Sequence, residues 1–330
     1  MLILVTGGAG YIGSHVVNEL IGKNFRVTVM DNLSTGHRAA VPPAAEFIEA
    51  DLLDEMMTRE ILLKVRPQAV IHFAAKSIVS DSVANPLATF NTNVVGTLNL
   101  LKAMQLTGTR LLVFSSTAAV YGEPHETPIE EGHPLNPTNP YGESKYFIEK
   151  ILARVAETGS LGYISLRYFN AAGADPEENI GEDHSPETHL VPLVLAVALG
   201  KKDKVVIFGD DYPTRDGTPI RDYIHIKDLS SAHILSLRAL LENRITRAVY
   251  NLGNERGYSV KEVIDMAKKI TGKNISYQVG SRRKGDPSVL VASSRKIKKD
   301  LGWTPLFSDL STIIDTAWRW HKNNPEGFRD

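Results

Sequence analysis

The segment NPYGESK sets Tyr141 and Lys145 four residues apart, directly after Asn139 and Pro140. Asn139 suits a helix N-cap and Pro140 a first helical residue. The spacing therefore predicts a helix that carries the phenol and the ammonium side by side on one face. Free tyrosine ionises near pH ~10 and is a poor base at neutral pH. An adjacent ammonium and a helix N-terminus both favour the phenolate and draw that value down, which makes the phenol a usable acid or base. Upstream, FSSTAAVYG closes an apolar run and leaves Ser115, Ser116 and Thr117 where a strand would end. A solvated helix face would show the same Tyr-Lys pair, so its meaning depends on what else the chain places nearby.

TGGAGYIG, residues 6–13, stands where an apolar run hands over to a helical stripe of Ile12, Val16 and Leu20. Gly8, Gly10 and Gly13 satisfy G-x-G-x-x-G, and Gly7, Gly10 and Gly13 satisfy the variant with one more residue. Glycine is needed there for a tight turn, for close backbone approach to a pyrophosphate and for helix–strand packing. The helix then turns its unpaired N–H groups toward the phosphates. Asp31, ending VTVMD, offers a carboxylate to both ribose hydroxyls and would repel a 2′-phosphate; with no Arg following it, the expected cofactor is NAD, not NADP. Asp51, after EFIEA, can receive the adenine amino group. A hydroxyl at Thr117, the Tyr141–Lys145 pair and a nicotinamide between them then form a site for exchanging a proton and a hydride, and the positive nicotinamide ring is a third group that favours the phenolate. Thr117 would hydrogen-bond the reacting hydroxyl, and Lys145 would also hold the nicotinamide ribose.

The elements that must position these groups follow from periodicity. LILVT, RVTVMD, EFIEA, QAVIHFAA, RLLVFSS and GYISLRYFN alternate with helical stretches. Strands this apolar imply a parallel sheet covered on both faces, with functional residues at the strand carboxyl ends. The expected fold is a doubly wound α/β sheet of the Rossmann type with a smaller C-terminal α/β lobe. After Asn170 the segment AAGADPEENIGEDHSPETHL reads as a long loop, and such loops in compact enzymes are usually functional. A strand and turn, a helix over KDLSSAHILSLRALLEN, another strand at AVYNLGN and two or three amphipathic helices follow.

Composition narrows the class. A chain of 330 residues can bury a large core. Its formal net charge of −1, without a long block of like charge, gives no reason to expect nucleic acid or a membrane as a partner. It has no cysteine, so disulfides, thiol catalysis and Cys-ligated metals are excluded. The opening MLILVTGGAG lacks the flanks of a signal peptide and no apolar run reaches bilayer length, so a cytoplasmic globular protein is expected. His72 reads as a packed core histidine. His225 and His233 lie eight apart without an HExxH pattern, so no catalytic metal is expected. LGKKDK and SRKIKKD read as solvated faces or turns. Trp318 and Trp320 are expected to pack the C-terminal lobe or rest at its rim.

TGGAGYIG, FSSTAAVYG, NPYGESK and RYFN together resemble an extended short-chain dehydrogenase/reductase, and GDDYPTRDGTPIRDYIHIKDL resembles its UDP-glucose 4-epimerase branch nearly word for word. The likeness runs through the closing WRWHKNNPEGF. It implies tightly held NAD and a sugar 4-OH that yields its proton to Tyr while C4 yields hydride. The 4-keto sugar then swings about its link to the nucleotide and takes the hydride back on its other face. By position, it implies Thr117, Tyr141 and Lys145 as catalytic. It implies cofactor contacts at Gly7, Gly10, Tyr11, Ile12, Gly13, Asp31, Asn32, Leu33, Ser34, Thr35, Gly36, Asp51, Leu52, Phe73, Ala74, Ala75, Asn93, Tyr168 and Phe169. Lys76 stands where many relatives carry a small or polar residue, and is included as a nicotinamide-side contact. UDP-galactose or UDP-glucose would meet Thr117, Tyr141, Asn170, His189, Leu190, Ile207, Phe208, Arg221, Tyr223, Arg283 and Asp286. Arg221 and Arg283 suit a diphosphate clamp, and Asn170 suits a sugar diphosphate or uracil.

The same likeness divides the chain into an NAD-binding domain, 1–170 with part of 223–254, and a nucleotide-sugar domain, 171–222 with 255–330. It implies a homodimer through the helices at 86–106 and 141–157. Leu290 falls near a position whose bulk decides whether an N-acetyl group fits, and its intermediate size leaves UDP-N-acetylhexosamines as a hypothesis. A 4,6-dehydratase would need an added acid and base after the catalytic Thr, where this chain has Ala118 and Ala119. A uronate epimerase stays open as an alternative, since a C6 carboxylate could use a basic contact that the sequence does not place. A non-catalytic, NAD-sensing relative would have no use for a tuned phenol.

Overall fold

The computed structural model of the protein describes residues 1–175, 177, 179–283 and 286–329. Strands β1 (Leu2–Thr6), β2 (Arg26–Asp31), β3 (Glu46–Glu49), β4 (Ala69–His72), β5 (Leu111–Thr117) and β6 (Gly162–Tyr168) occupy the first half. In the second half come β7 (Asn170–Ala172), β8 (Val205–Phe208), β9 (Ile220–His225), β10 (Arg247–Leu252), β11 (Gly257–Ser259), β12 (Tyr277–Gly280) and β13 (Val289–Leu290). The helices between them are α1 (Tyr11–Gly22), α2 (Glu55–Val65), α3 (Val79–Ala84), α4 (Pro86–Phe90), α5 (Gly96–Thr107), α6 (Pro140–Glu157), α7 (Leu190–Ala198), α8 (Ile226–Leu241), α9 (Val260–Thr271), α10 (Arg295–Leu301) and α11 (Leu310–Asn323).

The main sheet runs β10-β6-β5-β4-β1-β2-β3, parallel at every pairing. Alternation along its strands makes two cores, because successive side chains leave opposite faces. Ile3, Val5, Val29 and Ile71 join Val16, Val17 and Leu20 of α1 and Leu229 and Leu237 of α8 on one face. Leu4, Val70, Leu112 and Phe114 meet Leu62, Leu100, Met104, Ile148 and Leu152 on the other. Burial on both faces is why the strands read as unbroken apolar runs. Strand order reverses between β1 and β4, the switch point where open α/β sheets leave a crevice at their carboxyl ends.

The second half builds a separate core. β9 pairs β7, β11 and β13, and β8 pairs β12 in a two-stranded sheet. Val194 and Leu195 of α7, Val263 and Ile264 of α9, and Ile313 and Ile314 of α11 pack together over these strands. The α9 start is held by a capping box between Ser259 and Glu262. Two pieces of the second half return to the first: β10 extends the main sheet beside β6, and Ile297, Leu301 and Trp303 pack into the α1–α8 core. Among the described residues, no helix is long and apolar enough to cross a membrane.

Candidate active site

The glycine loop sits at the switch point. Gly7 has φ +73°, and a Cβ there would stand 2.4 Å from the backbone nitrogen of Ala74 at the exit of β4. A Cβ on Gly13 would lie 2.1 Å from the Gly7 carbonyl oxygen. Those two glycines are demanded by the turn and by packing. Gly10 is different: its Cβ direction meets only the Gly7 oxygen, at 3.6 Å, so the space above it is open. Gly10 is the N-cap of α1, with no side-chain cap and no acidic residue in the first turn. An uncapped helix end beside an open glycine fits a pyrophosphate, and on this ground the loop fits a dinucleotide.

The remaining strand ends close around that loop through direct hydrogen bonds. Asp31 is buried; its Oδ2 accepts from Ala9 N at 2.9 Å and its Oδ1 from Leu33 N at 2.9 Å. Burial raises its pKa while these N–H donors oppose the rise. His37 N donates to the Ala9 carbonyl at 3.0 Å, folding Asn32–Gly36 back over the glycines, with Ser34 and Thr35 exposed. Asn32 Nδ2 donates to Asp51 Oδ2 at 2.9 Å, joining the β2 and β3 ends. The backbone of Phe73 and Ala74 hydrogen-bonds to the Thr6 carbonyl. Lys76 N donates to Asn93 Oδ1 at 2.7 Å, and Asn93 Nδ2 donates to Ser144 Oγ at 2.9 Å. Asn93 lies in a π-helical turn, Asn91–Val95, a distortion common at functional sites. It ties the Ala75–Lys76 loop to α6. Ile12 half-packs against the first core, and Tyr11 OH reaches across to the Gly173 carbonyl at 2.6 Å.

The helix starting at Pro140 is present as expected: Asn139 accepts from Gly142 N at 2.9 Å, and both Tyr141 and Lys145 are buried on one face. A Cβ on Gly142 would lie 2.6 Å from the Ala119 carbonyl oxygen, so this glycine lets the helix N-terminus press against the turn after Thr117. The Thr117 hydroxyl stands near enough to the Tyr141 phenol to favour its ionised form. Tyr168, paired in register with Thr117, hydrogen-bonds Ser115.

The chain's own groups do not by themselves lower the phenol. Burial pushes the Tyr141 phenol up from its ordinary value, and the Thr117 hydroxyl pulls it only part of the way back. Lys145 instead donates from Nζ to the Ser115 carbonyl at 2.8 Å and lies over the Phe114 ring. The same burial lowers Lys145 to about 7, with Glu149 opposing the shift. The ammonium that sequence spacing offered to the phenol is itself penalised by the dry site.

Glu149 was not anticipated. It accepts from Ser116 Oγ at 2.6 Å and from Arg167 Nε at 2.9 Å, and Arg167 Nη2 bonds its second oxygen at 2.5 Å. Arg167 continues to Tyr121 OH at 2.9 Å, which donates to Asn251 Oδ1 at 2.6 Å. This buried network braces the strand that carries Thr117. Its one sequence signal was Glu149 lying one turn after Lys145. His72 is the packed histidine expected, held by Thr6 at 2.7 Å and Thr97 at 2.9 Å.

On the substrate side, Arg221 pairs with Asp286, Asp286 N turns back to the Arg283 carbonyl at 3.3 Å, and the Arg283 guanidinium lies 3.8 Å above the Phe208 ring. Those four therefore form one patch. Asn170 Nδ2 donates to the Asp222 carbonyl at 3.0 Å, and its backbone pairs with Tyr223. His189 is the N-cap of α7, which begins at Leu190. Ile207 and Tyr223 bury their side chains in the second core, Phe169 in a small cluster with Tyr121 and Ile129, and Leu52 against α5. A ligand contact from Ile207 or Leu52 would come through the backbone.

Residues 3–253 match the NAD dependent epimerase/dehydratase family. The chain is 49% identical over 330 residues to a UDP-glucose 4-epimerase of Lacticaseibacillus casei, covering 100% of this chain and 99% of the relative. A crystal structure of a UDP-glucose 4-epimerase superposes with a TM-score of 0.97 at 48% identity, over 100% of both chains. The Bifidobacterium longum UDP-glucose 4-epimerase in complex with NAD+ and UDP gives 0.93 at 37% identity, covering 99% of this chain and 100% of that one. With its glycine cradle, its Tyr–Lys helix and this likeness along its whole length, the chain belongs to the NAD dependent epimerase/dehydratase family.

Proposed function

We propose that the protein is a UDP-glucose 4-epimerase that interconverts UDP-galactose and UDP-glucose through a transient 4-keto sugar. The observation that carries the reading is the convergence of Thr117, Tyr141 and Lys145 beside the open glycine cradle, with only Ala118 and Ala119 after Thr117. That set supports proton and hydride exchange at one carbon and lacks the extra acid and base of a dehydratase. Gly7, Gly10, Tyr11, Ile12, Gly13 and Asp31 to Gly36 would hold the dinucleotide, with Asp51, Leu52, Phe73 to Lys76, Asn93, Tyr168 and Phe169 completing its walls. Bound NAD supplies the acceptor and donor of hydride at C4 and, with its positive ring, the cation that the chain's own residues do not bring to Tyr141.

Tyr141 takes the proton of the 4-OH and returns it to that oxygen once the 4-keto sugar has turned its other face to the hydride, while Thr117 keeps the reacting oxygen in line. Lys145, anchored on Ser115, holds the ribose hydroxyls. Arg221 and Arg283 clamp the diphosphate, Asn170, His189 and Leu190 border it, and Phe208, Tyr223 and Asp286 shape the nucleotide end. Asp286, by holding Arg221, fixes the direction of one guanidinium. Leu290, half-buried beside Phe169, would set hexose preference, which the turnover of UDP-GlcNAc against UDP-glucose measures.

A cytoplasmic homodimer completes the proposal. Val83, Leu87 and Phe147 stand 62%, 80% and 46% exposed on α3, α4 and α6, an apolar face of the kind that a second copy covers. Purified protein incubated with UDP-galactose and no added NAD should form UDP-glucose. A strict requirement for fresh NAD in every turnover would mark a reductase instead.

A further inference from the structure

The loop leading into α7 gathers four groups that the proposed reaction does not use together. Glu182, His184, Glu187 and His189 bring one ligand atom each within 4.8 Å of one another. His184 Nδ1 lies 3.4 Å from Glu182 Oε1 and 3.6 Å from Glu187 Oε2. His189 Nδ1 lies 2.6 Å from Glu182 Oε1 and 3.4 Å from Glu187 Oε1. Ligands at about 2.0–2.1 Å around a tetrahedral ion stand about 3.3–3.4 Å apart; His184 Nδ1 stands at or close to that edge from Glu182 Oε1 and Glu187 Oε2, and His189 Nδ1 would draw back from Glu182 Oε1 to reach it.

The cluster sets two imidazoles against two carboxylates in a tight, deeply placed group. Glu182 is 3% exposed, and its Oε1 is met by both imidazoles as ion-pair contacts, although by hydrogen-bond geometry neither that oxygen nor His184 Nδ1 has a partner. A buried carboxylate is costly unless a cation faces it, and a metal ion bound by the same imidazoles would take over that role from their protons. Glu187 divides its labour: Oε1 accepts from the backbone nitrogens of Thr188 at 2.6 Å and His189 at 2.7 Å, which leaves Oε2 for another partner. The backbone is pinned before any ion arrives. Trp320 Nε1 donates to the Glu182 carbonyl at 3.1 Å, and the Trp320 ring fills the space where a Gly181 Cβ would lie. Phe328 N holds Asp183 Oδ2 at 2.8 Å.

We propose that Glu182, His184, Glu187 and His189 bind one divalent transition-metal ion of the zinc class, which clasps the 181–190 loop beside Tyr11 at the mouth of the cofactor cleft. Two imidazoles with two carboxylates suit zinc and its neighbours better than calcium or magnesium, which prefer all-oxygen shells. All four positions are filled by protein, so the ion is structural: it carries no bound water and takes no part in the redox step. The Tyr11 ring stacks edge-on against His184 at 6.2 Å, so the clasp ties the helix of the glycine loop to the segment that starts α7. His189 would ligate through Nδ1, leaving Nε2 unused by the ion.

The test is metal content, which does not depend on the sugar reaction. Tag-free full-length protein, stripped with a chelator and equilibrated with buffered Zn2+, should hold one ion per chain by elemental analysis. Co2+ in its place should show the visible absorption of a tetrahedral site. Glu182→Gln and His184→Ala, neither of which the proposed reaction uses, should weaken Zn2+ binding about a hundredfold or more, since even outer-shell partners are worth about 10–100-fold. If either variant fails to fold, the wild-type stoichiometry and cobalt spectrum still decide. Wild-type protein that holds no Zn2+ after equilibration, or a cobalt spectrum unchanged in a folded His184→Ala, overturns the proposal.

Discussion

Gly10→Ala separates a glycine kept for a ligand from glycines kept for the fold. Gly10 sits at φ −79° and ψ 173°, ordinary extended backbone for alanine. Its new Cβ would touch only the Gly7 oxygen, at 3.6 Å, a normal contact. At compatible backbone, Gly→Ala gains about 0.4–1 kcal/mol, and the loss of glycine at an N-cap offsets it by a similar amount. Stability should therefore move by no more than about 1 kcal/mol. The methyl instead occupies the space proposed for the pyrophosphate. Overpacking of that kind costs about 1–3 kcal/mol, which weakens NAD binding about 5- to 160-fold. Calorimetric titration of NAD into stripped protein, with a thermal melt in parallel, measures both. Gly13→Ala provides the contrast: its Cβ would stand 2.1 Å from the Gly7 oxygen, so stability and affinity should fall together. A Gly10→Ala variant that melts like wild type and binds NAD equally well would show that the opening above Gly10 is not the cofactor seat.

Other expectations concern the dry interior of the site. Tyr141→Phe should lower turnover of UDP-galactose by about two to four orders of magnitude, the scale of losing a general acid–base; turnover equal to wild type removes the phenol from the reaction. Lys145 titrates near 7 when folded and near ~10.4 when unfolded, so the unfolded chain binds more protons between those values and stability should rise with pH there. Urea midpoints of stripped wild type, compared with Lys145→Met from pH 7 to 9.5, should show that slope only in wild type; equal slopes would refute the shift. Glu149→Gln leaves the Arg167 guanidinium buried without its anion, which should cost about 3–5 kcal/mol in urea unfolding. A loss below about 1 kcal/mol would mean that water or another group compensates.

What the sequence alone could determine was whatever depends on neighbours along the chain. The Asn139–Pro140 start, the shared face of Tyr141 and Lys145, the glycine turn and the apolar strands all follow from local stereochemistry and periodicity, and each appears in the structure. Spacing also placed Thr117 at a strand's carboxyl end, because parallel sheets deliver functional residues there. Tertiary structure alone decided what surrounds each group. Lys145 was free, by spacing, to lie against Tyr141; the burial that turned it toward Ser115 and raised the phenol comes from residues distant in sequence. The Glu149–Arg167–Tyr121–Asn251 network joins α6, β6, the turn after β5 and β10, a juxtaposition no local pattern encodes. Glu182, His184, Glu187 and His189 are close in sequence, yet their spacing matched no familiar metal pattern. Whether four such side chains converge on one point depends on the path of an irregular loop, and that path is set by packing against Trp320 and Phe328. Charge and burial are properties of position in space, and only the folded chain assigns them.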